Sequence, residues 1–466
     1  MQTPEIEYRG IWWLPNDDSN KVAGVLSFGE HRGRAILSLI GGFNNMQNLL
    51  ATQIIPLILG FSSDGKQITL CECGISGTKL SFPGFPTEKY DVQKAFIGVH
   101  FNTKDDIKFR SVAVLYSNAS EWVGLSGITF SLPSEDQKFS LQYSPKKVLE
   151  VNIDENCKIE ILHRATGQPP KHCIDMTEAG IKEKVYFQII TLEDQAFDWF
   201  LKKIALLSNF LTLGIGSPVF PLSIDGTTDQ AITMMGAKKH YEQVSIFFIM
   251  AEHTQLLRHQ TWDKMFFALG HIAKDFEMMI KKWFEKSDLL EPVYDLYCGT
   301  LYNSAMYVQH EFLSLIQALE TYHRRIYGGE YVDGESFQPI YQSMEGAIPS
   351  GVESDFKDSL KAKLKYGNEF SLRKRLKQIT DKHAILIGYL INNSSEFITQ
   401  IVDTRNYLTH YSTELESRAK KGYELYVLSQ KIKFLIEICF LTELGLAEEN
   451  IKKRLIEDQR YNYIKV

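Results

Sequence analysis

At 466 residues the chain exceeds what one ordinary hydrophobic core accommodates, so two or three domains are expected. Hydrophobic residues make up 44% and charged residues 23%, a balance normal for a folded soluble protein. The net charge of −6 excludes a whole-protein field that would hold nucleic acid and leaves only local basic patches for that role.

Residues 1–10 contain neither a basic n-region nor an apolar run, so a secretory leader is not expected. From 8 to about 190 the chain is dominated by short apolar runs of strand length, at 8–14, 22–28, 35–43, 54–61, 68–73, 95–101, 107–115, 122–132, 148–153 and 159–162. Turn-forming segments such as 15–18, 62–65 and 102–106 separate them, which predicts a sandwich or barrel-like module. No catalytic constellation is visible in it. The paired Trp12 and Trp13 could stack a sugar or a base, but core filling is the preferred reading.

Near residue 192 the period changes from two to between three and four. Phe197, Phe200, Ile204, Leu207 and Leu211 predict a helix over 193–213 that stops at Gly214-Ile215-Gly216-Ser217-Pro218. Asp198, Lys202 and Lys203 within this apolar window argue for a buried helix and against a membrane span. A strand is expected at 244–249, followed by a long amphipathic stretch over 265–284. Six scattered cysteines (Cys71, Cys73, Cys157, Cys173, Cys298 and Cys439) form no Cys-x-x-Cys pair, so a reduced, cytoplasmic setting with no structural metal and no cofactor is expected.

Beyond about 293 the pattern is helical almost throughout. A long helix is expected over 307–325, with Phe312, Ile316 and Leu319 on one face and Glu320 at its border. A looser connection over 328–351 leads to 356–378, where Lys361, Lys365, Arg373 and Arg375 belong to a run in which bases outnumber acids. That run reads as a solvated helical face or as a track for RNA phosphates. Asn392-Asn393-Ser394-Ser395 supplies capping residues for the next helix, and 424–444 is the last helix of a bundle. The fold class is therefore α+β multidomain: a β-rich module over 1–190, a mixed, mainly helical extension over 191–292, and an all-α bundle over 293–466.

The helix over 396–411 contains a misfit. Phe397, Ile401 and Leu408 make an apolar stripe, and Arg405 falls inside it. A guanidinium buried there requires a carboxylate, a second subunit or an anionic ligand, and Glu320 is the expected partner. The pair could also be a purely structural ion pair. Residues five apart lie about 140° apart around a helix, so Arg405 and His410 do not share a face, whereas Asp403, Asn406 and His410 line up. Asn406 or Asp403 could then fix the imidazole tautomer. The plainer alternatives are a surface amide at Asn406 and a satisfied helix-end imidazole at His410.

Arg405-Asn406 with His410 resembles the Arg-Asn-x-x-x-His motif of the HEPN superfamily of ribonucleases. The stretches 312–324, containing Glu320 and Arg324, and 368–376, containing Asn368, Arg373 and Arg375, resemble the ApeA-like HEPN domain. The region from Gly10 and Trp12 to Gly42 is similar to the N-terminal module that accompanies that domain. The resemblance implies a metal-independent endoribonuclease of bacterial anti-phage defence by abortive infection, working at a groove between two subunits of a homodimer. The attacking ribose 2′-hydroxyl would leave a 2′,3′-cyclic phosphate and a 5′-hydroxyl. In that reaction His410 exchanges protons, Arg405 faces the phosphorane, Asn406 orients the histidine, Glu320 holds Arg405, and Asp403 and Tyr411 support them. Tyr411 could also stack on a base, although a core or interface role is the preferred reading. RNA, with tRNA among the substrates suggested, is the implied partner; a phage-derived trigger would act on the N-terminal module, and no membrane is implied. A HEPN scaffold that dimerises and binds RNA or a protein without cutting is the alternative.

Overall fold

A computed structural model of the chain describes residues 6–29, 34–43, 54–79, 81, 83–132, 139–235, 238–249, 257–303 and 305–464. Residues 1–5, on which the expectation of no leader partly rests, lie outside the described residues. The chain divides into two compact units, Met1–Glu277 and Met278–Val466.

In the first unit, strands β1 (Ile6–Leu14), β2 (Asp17–Phe28), β3 (Ala35–Ile40), β4 (Ile54–Ser62), β5 (Gln67–Lys79) and β6 (Thr87–Ile97) pair antiparallel in the order β1-β2-β3-β6-β5-β4. Pairing of β4 with β1 closes the ring into a six-stranded barrel. Inward and outward positions alternate along β2 and β3, as a pleat with one buried face requires. Val22, Gly24, Leu26 and Phe28 of β2 are buried while the residues between them are not. Trp12 lies fully inside the barrel, where a side chain at Gly60 would overlap its indole. It is therefore a core residue, and the stacking role considered for it is excluded.

The remaining strands are β7 (Lys108–Tyr116), β8 (Ile128–Ser131), β9 (Ser140–Tyr143), β10 (Leu149–Asn152), β11 (Cys157–His172), β12 (Thr177–Ala196), β13 (Pro221–Thr227), β14 (Ile232–Met235), β15 (Lys238–Tyr241) and β16 (Val244–Phe248). Six of them continue the sheet from the barrel in the order β6-β16-β13-β7-β12-β11-β10, and β8-β9 and β14-β15 are separate hairpins. β6 belongs to both parts: β5 flanks it throughout, while its other edge meets β3 over Thr87 to Val92 and β16 over Lys94 to Ile97.

Helix α1 (Ala119–Val123) replaces the first part of the strand expected over 122–132. The amide of Asn118 bonds Arg258 and Gln260, which draws the chain off the sheet and lets the indole of Trp122 donate to the Phe267 carbonyl at 2.9 Å. Helix α2 (Phe197–Ile215) packs on β7 and β12 and ends on Gly216 in the left-handed conformation, as its stop signal implies. The amphipathic stretch over 265–284 forms two helices, α3 (Leu269–Ile272) and α4 (Phe276–Glu285). Residues 265–269 are buried on all sides, and Phe267 bonds Gly214 and Trp122 in place of a helical turn.

The second unit is the helical bundle: α5 (Ser287–Tyr302), α6 (Val308–Tyr327), α7 (Gly334–Gly346), α8 (Ser354–Lys365), α9 (Leu372–Lys382), α10 (Ala384–Ile387), α11 (Ser394–His410), α12 (Gly422–Glu443), α13 (Glu448–Glu457) and α14 (Gln459–Ile464). Helix α6 is central and packs against α5, α9, α11 and α12. Phe312, Leu315, Ile316 and Leu319 of α6 meet a core to which α12 adds Leu428, Ile432, Leu435 and Phe440. A second layer is polar and buried. Glu437 accepts from Tyr297 at 2.6 Å and from both terminal nitrogens of Arg460, which ties α14 to α12. Each of these groups is satisfied, so the desolvation cost is offset within the network.

The connection after α6 is held by two side chains from the start of α9 and the residues before it. Asn368 acts as a surrogate strand, accepting from the Val332 amide at 3.0 Å and donating to the Val332 carbonyl at 2.7 Å. Arg375, only 1% exposed, donates to the carbonyls of Gly328 (2.8 Å), Gly329 (3.4 Å) and Phe370 (3.1 Å) and to Nδ1 of His323 (3.1 Å). Nδ1 of His323 is therefore an acceptor, and Nε2 donates to Gln378 at 2.7 Å. Burial, followed by the charges of Arg375 and Arg324, lowers the His323 pKa and keeps the ring neutral.

These contacts set two expectations. Arg375→Ala should lower the free energy of unfolding in urea by about 3 kcal/mol, because four charge-assisted bonds are lost from a buried seat, whereas Arg373→Ala on the same helix should change it by less than about 0.5 kcal/mol. The second concerns His383, 5% exposed with Nε2 unpartnered among the described residues; its pKa is lowered from 6.5 to about 4, mainly by burial and next by Lys382. A folded-state value below the unfolded one means that the stability is full above pH 6.5 and is lost as pH falls from there toward 4. His383→Phe should flatten the urea midpoint across that window; a wild-type midpoint that does not move between pH 7 and 4.5 would exclude His383 as the cause.

Candidate active site on helix α11

The side chain of Asn393 accepts from the Glu396 amide at 3.1 Å, so the Asn392 to Ser395 stretch does cap α11. Phe397, Ile398 and Ile401 are buried, and the next turn of that face is taken by Thr404. Thr404 is fully buried and accepts from the Lys420 amide at 3.0 Å. Arg405 lies eight residues after Phe397, about 80° round the helix from it, and is half-buried at the border of the stripe. The misfit anticipated from the sequence is thus milder, because a threonine occupies the core position.

Glu320 does not hold Arg405. It pairs with Arg324 one turn along α6 at 3.6 Å, and its charge also faces Arg375. A guanidinium at a half-exposed border keeps water on one side and does not require the buried carboxylate. Among the described residues Arg405 has no carboxylate within ion-pair distance; its Nη1 donates to Oδ1 of Asn406 at 3.2 Å. Asn406 is thereby turned toward the arginine, with no hydrogen bond to His410. His410 is exposed at the last position of α11. Asp403 is buried and meets Arg418 at 3.6 Å, so it braces the segment after the helix and does not orient the imidazole. Tyr411 is the C-cap, with φ of 50° and the residue 67% exposed, which excludes the core half of the core or interface role preferred for it.

The four cations expected on an RNA track separate. α8 and α9 are distinct helices, and Ser371 caps the second by accepting from Lys374. Lys361 pairs with Glu345 at 2.8 Å, and Lys365 is exposed. Arg373 is exposed and donates to Thr399 in the first half of α11 at 2.9 Å, so it lies on the same helix as the candidate site but several turns before His410. Arg375 is sealed inside the bundle by the carbonyls it serves and cannot meet RNA.

A cleft of about 300 Å³ escaped the sequence reading. Tyr407 and Tyr411 of α11 form one side, with Tyr307 and His310 from the start of α6 and Lys420 and Lys421 from the segment before α12. The Lys421 ammonium sits 5.0 Å from the Tyr407 ring centre, and Tyr407 meets Tyr411 edge-on at 5.5 Å. Tyr407 and Tyr411, four residues apart, are a legible pair. Their meeting with Tyr307 depends on the packing of α11 on α6, which no local pattern encodes.

The matches to known families cover most of the chain. The family model described as ApeA N-terminal domain 1 matches residues 7–283, and the model described as Apea-like HEPN matches residues 313–450. No curated protein and no solved structure matches. Among the described residues no helix is long and apolar enough to cross a membrane. With over half of its length inside the first match and the stretch from within α6 to the start of α13 inside the second, the chain belongs to the ApeA family of proteins, with an ApeA N-terminal domain followed by an ApeA-like HEPN domain.

Proposed function

We propose that the protein is an endoribonuclease of anti-phage defence, acting in the cytoplasm by abortive infection, and that Arg405 and His410 carry its chemistry. The observation that supports this most is the state of Arg405: a half-exposed guanidinium without a carboxylate partner among the described residues, five residues before an exposed imidazole. The fork suits the non-bridging oxygens of a phosphate, where charge builds in the phosphorane. The ribose 2′-oxygen attacks phosphorus, the bond to the 5′-oxygen breaks, one group removes the 2′ proton and another protonates the leaving 5′-oxygen. One imidazole cannot do both in a single in-line step, so His410 takes one role and His410 of a second copy takes the other, which makes the active form a homodimer through the helical unit. Asn406 serves by fixing the Arg405 fork, and Arg373 and Lys365 are the cations available to the flanking phosphates, with tRNA among the candidate substrates. The β-rich unit would then receive a phage-derived trigger that releases a toxin-like activity.

A second reading rests on one specific observation. Asn406 is engaged by Arg405, and among the described residues His410 has no orienting hydrogen-bond partner, as suits a HEPN scaffold that binds RNA without cutting it.

RNA recovered after expression of the wild type should carry 2′,3′-cyclic phosphate and 5′-hydroxyl ends. The purified protein should make the same ends with a chelator present. Arg405→Ala and His410→Ala should each reduce cleavage at least about 100-fold. Cleavage that persists in both variants would remove these residues from the active site, and wild-type RNA binding with no products under inducing conditions would leave the scaffold.

A further inference from the structure

The tyrosine-walled cleft beside His410 has a composition that neither the helical packing nor the chemistry of Arg405 explains. Tyr411 takes a positive φ that a bulky residue adopts only under strain, where glycine or asparagine would fit freely. That strain is not offset by burial, since the ring stays in solvent. Tyr307 across the cleft is 76% exposed, so two large rings face water at one small opening. Tyr407 is already covered by the Lys421 ammonium, which leaves Tyr411 and Tyr307 as the open aromatic surfaces. The floor is apolar, from Leu408 and Leu425, and the rim is cationic. The Lys420 and Lys421 ammonium groups pair with Glu424 (3.1 Å) and Glu416 (2.9 Å), surface pairs weak enough to yield to a phosphate.

From this geometry we infer that the cleft is a base-stacking subsite: one unstacked base of single-stranded RNA inserts against Tyr411, and Lys420 and Lys421 take the adjoining phosphate. A flat ring fits aromatic walls over an apolar floor, and every base offers such a face. A duplex keeps its bases stacked and cannot fill the cleft. The subsite lies within one helical turn of His410, so a base held there fixes which neighbouring phosphate reaches Arg405. It thereby makes the strand next to the cut single-stranded by requirement. This inference rests on the proposal that RNA is the substrate of the same helix, and it adds the recognition element.

The test measures binding without cleavage. In a His410→Ala background, fluorescence anisotropy at fixed salt is recorded with a labelled short oligoadenylate, with an abasic oligomer of equal length, and with an RNA duplex. Tyr411→Ala should weaken oligoadenylate binding roughly tenfold or more, the range of one stacked base, and leave the abasic oligomer and the duplex unchanged. Tyr411→Phe should restore the wild-type affinity, because the ring and not the hydroxyl is used. Equal losses with the abasic oligomer, or no loss with oligoadenylate, would overturn the subsite. A fall in oligomeric mass on sedimentation of Tyr411→Ala, matching the loss of binding, would overturn it in favour of a seam between two copies of the chain. The outcome is separable from that for the nuclease: a wild type that binds through Tyr411 but leaves RNA intact keeps the subsite and removes the catalysis.

Discussion

The guanidinium of Arg375 is the contact on which the arrangement of the helical unit depends. It serves the carbonyls of Gly328 and Gly329 where α6 ends, a place where the backbone presents unpaired acceptors and the negative end of the helix dipole. The same group bonds Phe370 and His323, so the end of α6, the turn before α9 and the interior of the bundle meet at one buried charge. Glu320 and Glu369 stand near enough to offset part of its desolvation. Because α9 is seated in this way, α11 finds a surface made of α9 and α6 to lie on. The positions of Arg405 and His410 follow from that surface.

Two arginines of this unit have opposite fates, and the difference is one of solvation. Arg375 has exchanged water for fixed carbonyl dipoles and is spent on structure. Arg405 is half in water, bonded to a neutral amide, and retains most of its capacity to attract an anion. Both lie in stretches that resemble the family motifs, so a motif by itself does not separate a scaffold residue from a reactive one. Burial and the identity of the acceptors do.

Much of the fold was legible because its signals are local. The alternation of β2 and β3, the stop at Gly216 and the cap at Asn393 each arise from a few adjacent residues, and each lies where its pattern indicates. The first half of β6 was hidden. Glu88, Tyr90 and Val92 point inward, and a carboxylate among inward residues breaks the apolar alternation; Glu88 is accepted there only because Tyr90 and the Phe43 amide donate to it at 2.5 and 3.0 Å. The division of 265–284 into two helices was hidden for a similar reason, since the bonds of Phe267 reach to Gly214 and Trp122, far along the chain. At the candidate site, the helix and its exposed end could be read, while the pairing of Arg405 with Asn406 and the company of Tyr307 depended on tertiary packing. A one-residue difference in the centre of the stripe, Thr404 for Arg405, was enough to misplace the expected ion pair.

The double membership of β6 also shapes how the chain is made. Once residue 97 has been synthesised the barrel can close, yet the outer edge at Lys94 to Ile97 has no partner until β16 follows roughly 150 residues later. At ribosomal rates that interval is on the order of ten seconds, during which an apolar strand edge with Ala95, Phe96 and Ile97 is open to wrong pairing. Joining such distant segments is also the slow kind of contact to form. Completion of this unit is therefore timed by the arrival of five residues near its end, and a nascent chain arrested before them carries a finished barrel with an unguarded side.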